Sequence, residues 1–315
     1  MPSPPASSRH LFLTIVELTK MPLAAMVTLT TATGHILCAG RLRPDVWLPM
    51  LGVFLLACGA IAVNQCQEAH LDGRMDRTRN RPIPSGRLDR PAALLLGVTC
   101  VLAGLTCLAS ADRQAELLLA MGAFAVLWYN GVYTLLKRLT AFAAVPGAIL
   151  GAVGPMIGWV AAGGGVTDRF ILLVASFFFV WQIPHFWLLV LLYGDQHRAA
   201  NLPSPAQLFQ PAQSARIALM WIAASAALGM LMPSLAAGRI ARAGGVVLIV
   251  SSLWMVATVA AGLMRLARGD SRAATDSEVE DPTSAYRGAF VRLNIFGLLV
   301  MAGLIVNALT ANRAI

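Results

Sequence analysis

Long apolar runs alternate with short polar connections along this chain. Runs of about 20 residues, enough to cross a bilayer as a helix, fall at 21–40, 46–66, 92–110, 115–136, 142–163, 170–193, 216–237, 244–264 and 289–309. The first is the most polar, carrying Thr28, Thr30, Thr31, Thr33 and His35, and polar residues in a span face a bundle interior. The pattern predicts an all-α integral membrane protein of about nine transmembrane helices. Met1–His10 is rich in Pro and Ser and lacks the apolar core and cleavage site of a signal peptide. It is expected to be disordered, with residues 1–20 a cytoplasmic tail and residues 21–315 one membrane domain. Arg265–Asp281, with its five acids, reads as a solvated loop.

Composition agrees with the pattern. The chain is 57% hydrophobic and 12% charged, about half the charged share of soluble domains, so the lipid bilayer is its natural solvent. The net charge of +9 sits on arginines in the connections, which implicates orientation and anionic lipid rather than nucleic acid. With a cytoplasmic N-terminus, 17 of the 24 Lys and Arg residues fall on the cytoplasmic side. The positive-inside rule therefore predicts a multi-pass inner-membrane protein with its N-terminus inside and its C-terminus outside. The three longest connections, 67–91, 194–215 and 265–288, then share the inner face. Cys38, Cys58, Cys66, Cys100 and Cys107 form no CxxC motif and suggest neither a disulfide framework nor a zinc site.

Candidate chemistry gathers at three places. Where the second run ends, Asn64, Glu68 and Asp72 are spaced four apart, which stacks them on one helix stripe. An amide and two carboxylates offer the hard oxygen ligands that Mg²⁺ takes, together with phosphate oxygens. Arg74, Arg77, Arg79 and Arg81 follow directly, and guanidinium groups match phosphate geometry. Such a set suits a lipid diphosphate; the plainer alternative is a solvated loop of mixed charge. The second place is Trp128–Arg138, where Tyr133 and Lys137 share a helical face and Arg138 follows. It reads as a second diphosphate clamp or as an interfacial aromatic belt. The third is Trp181-Gln182-Ile183-Pro184-His185-Phe186 inside the sixth run. Gln and His in an apolar span are costly and suggest function, against the alternative of a satisfied polar kink at Pro184.

The run from Asn64 through Glu68, Asp72, Arg77, Thr78, Arg81 and Pro82 to Gly86 resembles the first signature of the protohaem IX farnesyltransferases, or haem O synthases, members of the UbiA-type intramembrane prenyltransferases. The likeness continues in Leu18-Thr19-Lys20, in Tyr133 to Thr140, in Gly147 to Trp159 and in Trp181 to Phe186. It implies nine helices around a central cavity, farnesyl diphosphate as donor, protohaem as acceptor and Mg²⁺ as the metal. It further implies that Asn64, Glu68 and Asp72 carry the metal and that Arg77, Arg81, Lys137 and Arg138 hold the diphosphate; Trp181 and His185 are read as substrate-binding, His185 toward the porphyrin. In the connection after the sixth run the family's acidic pair is reduced to Asp195 beside Gln196, leaving Asp195 as the only acid there to serve as a ligand. A quinone-precursor acceptor and a non-catalytic haem-handling relative remain as rival readings, and whether a haem A synthase binds as partner stays open.

Overall fold

The computed structural model describes residues 8–111, 113–236, 238–268 and 282–311, and among them every element is helical. A short helix α1 (Ser8–Thr19) precedes α2 (Met21–Ala39), α3 (Trp47–Asp72) and α4 (Arg90–Ala109). The next span begins as α5 (Ala115–Val126), widens into a π-helical stretch over Leu127–Tyr133 and finishes as α6 (Thr134–Leu139). A single turn, α7 (Ala144–Gly147), leads into α8 (Ile149–Ala161), and α9 (Arg169–Leu192) follows. Two short helices, α10 (Gly194–Ala199) and α11 (Pro205–Leu208), then precede the last spans, α12 (Pro211–Leu235), α13 (Arg242–Arg268) and α14 (Pro282–Ala311). Nine helical segments among the described residues are long and apolar enough to cross a membrane, as the hydropathy pattern predicts. The chain is a multi-pass membrane protein.

The helices run past the apolar stretches, because hydropathy sees only the part of a helix that lies in hydrocarbon. At about 1.5 Å per residue, the 26 residues of α3 span ~39 Å, against a hydrocarbon core of about 30 Å. Its last turns therefore stand clear of the lipid and carry Glu68 and Asp72 outward on a continuous helix. Residues 8–10 of the stretch expected to be disordered are helical. Residues 8–19 form α1, whose Leu18 is buried with Ala62, Cys66 and Ala93 while Leu11, Phe12 and Leu13 stay exposed. An apolar trio at a helix surface is at home in the membrane interface. Residues 1–7, and 269–281 of the expected solvated loop, lie outside the described residues.

Close packing depends on small residues, since lipid supplies no hydrophobic drive between helices. A Cβ on Gly34 would fall on the Pro155 carbonyl, and one on Gly158 would fall on the Thr31 carbonyl, so α2 and α8 touch backbone to backbone. Likewise, α3 meets α4 at Gly59 and Gly97, where a Cβ on Gly59 would lie 2.6 Å from the Gly97 carbonyl oxygen. The bundle closes where α14 packs on both α2 and α9.

Gly158→Ala is expected to cost about 1–3 kcal/mol by overpacking, seen as a fall of several degrees in the melting temperature of the detergent-solubilised protein. Gly262→Ala, where a Cβ meets nothing within 4 Å, serves as the control and is expected to leave that temperature unchanged.

Candidate active site

The stripe predicted at the end of α3 is formed. Asn64, Glu68 and Asp72 are all buried, at 7%, 8% and 2% exposure. A buried carboxylate must be paired, and each here has a cation supplied by a different element. Lys137 Nζ of α6 donates to Glu68 Oε2 at 2.6 Å. Arg81, from the turns that follow α3, donates to both oxygens of Asp72 at 2.7 Å. Asn64 Nδ2 donates to Thr134 Oγ1 at 2.9 Å, which leaves the amide oxygen as the atom not engaged in that bond.

The π-helical stretch explains how α6 reaches α3. A wider turn leaves carbonyls available, and Thr134 donates to one of them, Tyr129 O, at 2.8 Å. Asn130 Nδ2 donates to Ala60 O, while Gln67 Nε2 donates back to Asn130 O. Arg138 Nη2 is fixed on Gln67 O at 2.9 Å, with its Nε 3.9 Å from Glu68 Oε1. Insertions of this kind cluster at functional sites.

The turns after α3 are pinned from several sides. Thr78 Oγ1 donates to Asp72 O at 2.8 Å, Met75 is buried with Leu71, Ala200 and Leu202, and Arg87 pairs with Glu17 of α1 at 2.7 Å. Arg77 lies over the Tyr193 ring, 4.4 Å from its centroid. Lys20 stands among the same charges. It occupies a left-handed conformation, φ 45°, at the junction of α1 and α2, and burial followed by the neighbouring Arg81 and Arg77 pushes its ammonium pKa down to about 8. Lys20, Arg77, Arg81, Lys137 and Arg138 together outnumber the two carboxylates, so the site holds a surplus of positive charge.

An aromatic file leads away from it. The Lys137 ammonium is 5.5 Å from the Tyr133 centroid. Tyr133 stacks on Tyr129 at 5.7 Å and on Phe186 of α9 at 5.4 Å. Gly147 makes room for this stack, since a Cβ there would come within 2.6 Å of the Tyr133 ring. Beyond Phe186 stands His185, 5.1 Å from Trp181 and 5.0 Å from Phe290 of α14, ring to ring. Trp181 Nε1 donates to Leu293 O at 2.9 Å, and His185 Nδ1 is buried without a hydrogen-bond partner.

Asp195 does not join the group. It lies exposed on α10, and the described residues contain no set of three or more His, Cys, Asp or Glu side chains placed to hold a metal ion. Its neighbour Gln196 instead has a buried amide oxygen without a partner. The remaining candidates, Asn64, Glu68, Asp72, Arg77, Arg81, Tyr133, Lys137, Arg138, Trp181 and His185, are linked by the contacts above. Thr134, Tyr193 and Lys20 belong with them although sequence spacing gave them no role. For Lys20 the one available signal was the Leu18-Thr19-Lys20 likeness. A divalent cation fits the donor set, because Glu68 Oε1 is a buried carboxylate oxygen without a hydrogen-bond partner and hard oxygen ligands are what Mg²⁺ takes.

Comparison with known proteins gives the same direction. Residues 27–277 match the model of the UbiA prenyltransferase family. The chain is 40% identical over 217 residues, 67% of its own length and 77% of the relative's, to a protohaem IX farnesyltransferase from Geobacter sulfurreducens. In fold it resembles a solved digeranylgeranylglyceryl phosphate synthase structure (TM-score 0.72, 13% identity, 95% of this chain and 98% of that one). It also resembles a UbiA homologue from Archaeoglobus fulgidus bound to GPP and Mg²⁺ (TM-score 0.62, 13% identity, 92% and 99%). The chain belongs to the UbiA prenyltransferase family, among its protohaem IX farnesyltransferases.

Proposed function

We infer that this protein transfers a farnesyl group from farnesyl diphosphate to a vinyl group of protohaem IX and so makes haem O. The observation that carries the reading is the buried Glu68 and Asp72 pair, matched by Lys137 and Arg81 and joined through the Tyr133–Phe186 stack to His185. A 40%-identical relative named for this reaction supports it.

Asn64, Glu68 and Asp72 would hold Mg²⁺, as a fold relative holds Mg²⁺ with a prenyl diphosphate; the ion would supply charge neutralisation for the leaving diphosphate. Arg77, Arg81, Lys137 and Arg138 bind and orient the diphosphate oxygens, and the preorganised charges favour the extra negative charge that develops as the C–O bond breaks. The allylic carbon is then cationic. The Tyr129, Tyr133 and Phe186 faces exclude water from it and attract it through their ring quadrupoles. The vinyl π electrons form the new C–C bond to that carbon, and the positive charge moves to the carbon next to the porphyrin ring. Water adds there and loses a proton to solvent, leaving a hydroxyethylfarnesyl substituent. Since the vinyl group is itself the nucleophile, no strong base is needed, which agrees with a site dominated by cations. Trp181 and His185 form the wall on the acceptor side.

This reading places the protein in the inner membrane with the site on the cytoplasmic side, and the charge asymmetry supports a C-terminus outside. A reporter that is active only outside the cytoplasm, fused after Ile315, is expected to be active; an expressed, inserted but silent fusion would contradict the orientation. Mass spectrometry of haems from cells expressing the protein is expected to show protohaem shifted by one hydroxyfarnesyl unit. Glu68→Gln and Asp72→Asn, which keep shape and remove charge, are each expected to lower that product by roughly 10²–10³-fold in protein that still inserts; near-normal product in both would refute the stripe as the donor site. Gln196→Asp is expected to lower the Mg²⁺ concentration for half-maximal rate by putting a charged oxygen ligand in place of a buried amide oxygen that has no partner. Asp195→Asn is expected to leave it unchanged, because that carboxylate is exposed, and a loss as large as that of Asp72→Asn would reassign Asp195 to the metal.

A further inference from the structure

Three separate effects disfavour a lysine at position 20. The backbone there is left-handed, with φ 45° and ψ 53°, a conformation that suits glycine and strains a residue with a side chain. Lys20 also stands at the N-terminal end of α2, where the amides of Leu23 and Ala24 bond to its carbonyl oxygen at 2.8 and 3.1 Å. The helix dipole is positive at that end and repels an ammonium group. Finally, Lys20 is half-buried among like charges. Burial, then Arg81 and Arg77, bring its pKa down to about 8, and the Asp72 carboxylate offsets this only in part.

The fold holds it there nonetheless. Gln65 Nε2 donates to Leu18 O and to Glu17 O, which ties the last turn of α1 to the helix that carries Asn64, Glu68 and Asp72. Leu18 is fully buried in a cluster with Ala62, Cys66 and Ala93, and Thr19 Oγ1 donates to Ile15 O at 2.8 Å. Strained residues persist where their surroundings over-determine them, and they cluster at ligand sites. The ammonium group itself forms no ion pair, hydrogen bond or ring contact with another described residue. The other cations of the site are engaged. Arg81 lies on Asp72, Lys137 on Glu68, Arg138 on Gln67 O and Arg77 over the Tyr193 ring. A half-buried charge with no counter-charge of its own is unfavourable, and an anion entering the site would supply one.

We propose that Lys20 is a further ligand of the donor's diphosphate, its ammonium group donating to the phosphate oxygens. The proposal rests on the prenyl-diphosphate reading of the site. A diphosphate offers only acceptors, and an ammonium group meets them with three donors and a full charge. Arg81 and Lys137 must leave a carboxylate to reach it, so each exchanges one anion for another. Lys20 leaves nothing, and its bond to the diphosphate is a net gain. The strained junction then has a purpose: a lysine stands where glycine would fold with less strain, and the empty protein gives up stability for its hold on the donor.

The test is calorimetric binding of farnesyl thiolodiphosphate, a slow-reacting donor analogue, to the full-length, detergent-solubilised protein with Mg²⁺ present. Farnesol, which keeps the chain and lacks the diphosphate, is titrated alongside. Lys20→Met, which keeps an apolar stem and removes the charge, is expected to bind the analogue about tenfold or more weakly than wild type, as fits loss of one charge-assisted bond, and to bind farnesol unchanged. Lys20→Arg, which restores the charge, is expected to recover part of that loss. Lys20→Gly is expected to bind the analogue as weakly as Lys20→Met and to melt no lower than wild type, because glycine adopts φ 45° freely. Wild-type affinity for the analogue in Lys20→Met and Lys20→Gly would overturn the proposal and leave Lys20 as a structural residue of the junction. An equal loss of analogue and farnesol in Lys20→Met, or a melting temperature several degrees lower in Lys20→Gly, would overturn it in the same way. Wild-type protein that binds farnesol as tightly as the analogue has no diphosphate site, which would overturn the donor reading itself and the proposal with it.

Discussion

Two carboxylates buried at the end of one helix require two cations, and that requirement organises the inner half of the molecule. Leaving either acid buried and unpaired would cost several kcal/mol. Glu68 obtains its partner from α6, about 70 residues later, and Asp72 obtains its partner from the turns just beyond α3. For Lys137 to arrive, the span that carries it must present both Thr134 and Lys137 to α3, and the π-helical stretch over Leu127–Tyr133 provides the offset. For Arg81 to arrive, the chain after Asp72 must fold back, which Thr78 enforces by bonding to Asp72 O. The walls of the site are thus assembled by the ion pairs at its centre.

These pairs also set the resting state. A site with more cations than anions has a standing affinity for a diphosphate, yet its carboxylates already occupy part of that positive charge. In the function proposed above, Lys137 and Arg81 would turn to the diphosphate, and the oxygens of Glu68 and Asp72 that they now occupy would hold the metal.

Much of this was legible in the sequence, for identifiable reasons. Spans are visible because hydropathy reports on hydrocarbon, and the stripe is visible because Asn64, Glu68 and Asp72 repeat at the helical period. What sequence could not supply was meeting across distance. Lys20 enters the site through a left-handed junction between helices, which no local propensity marks for a lysine. Tyr193 matters only because Arg77 folds over it. The last turns of α3 and the first turns of α14 escaped the hydropathy pattern because they leave the lipid while staying helical. The helical part of the N-terminal tail escaped it because α1, at 12 residues, is too short to register as a span.

The backbone contact between α2 and α8 at Gly34, Pro155, Thr31 and Gly158 bears on traffic. Two helices in contact at that distance have no side-chain layer to rearrange, so they travel as one rigid plate. A flat substrate as wide as a porphyrin needs a gap in the wall, and that plate cannot provide it. By contrast, α14 meets α9 through the Trp181 ring, which lies against Gly297 and donates to the Leu293 carbonyl oxygen.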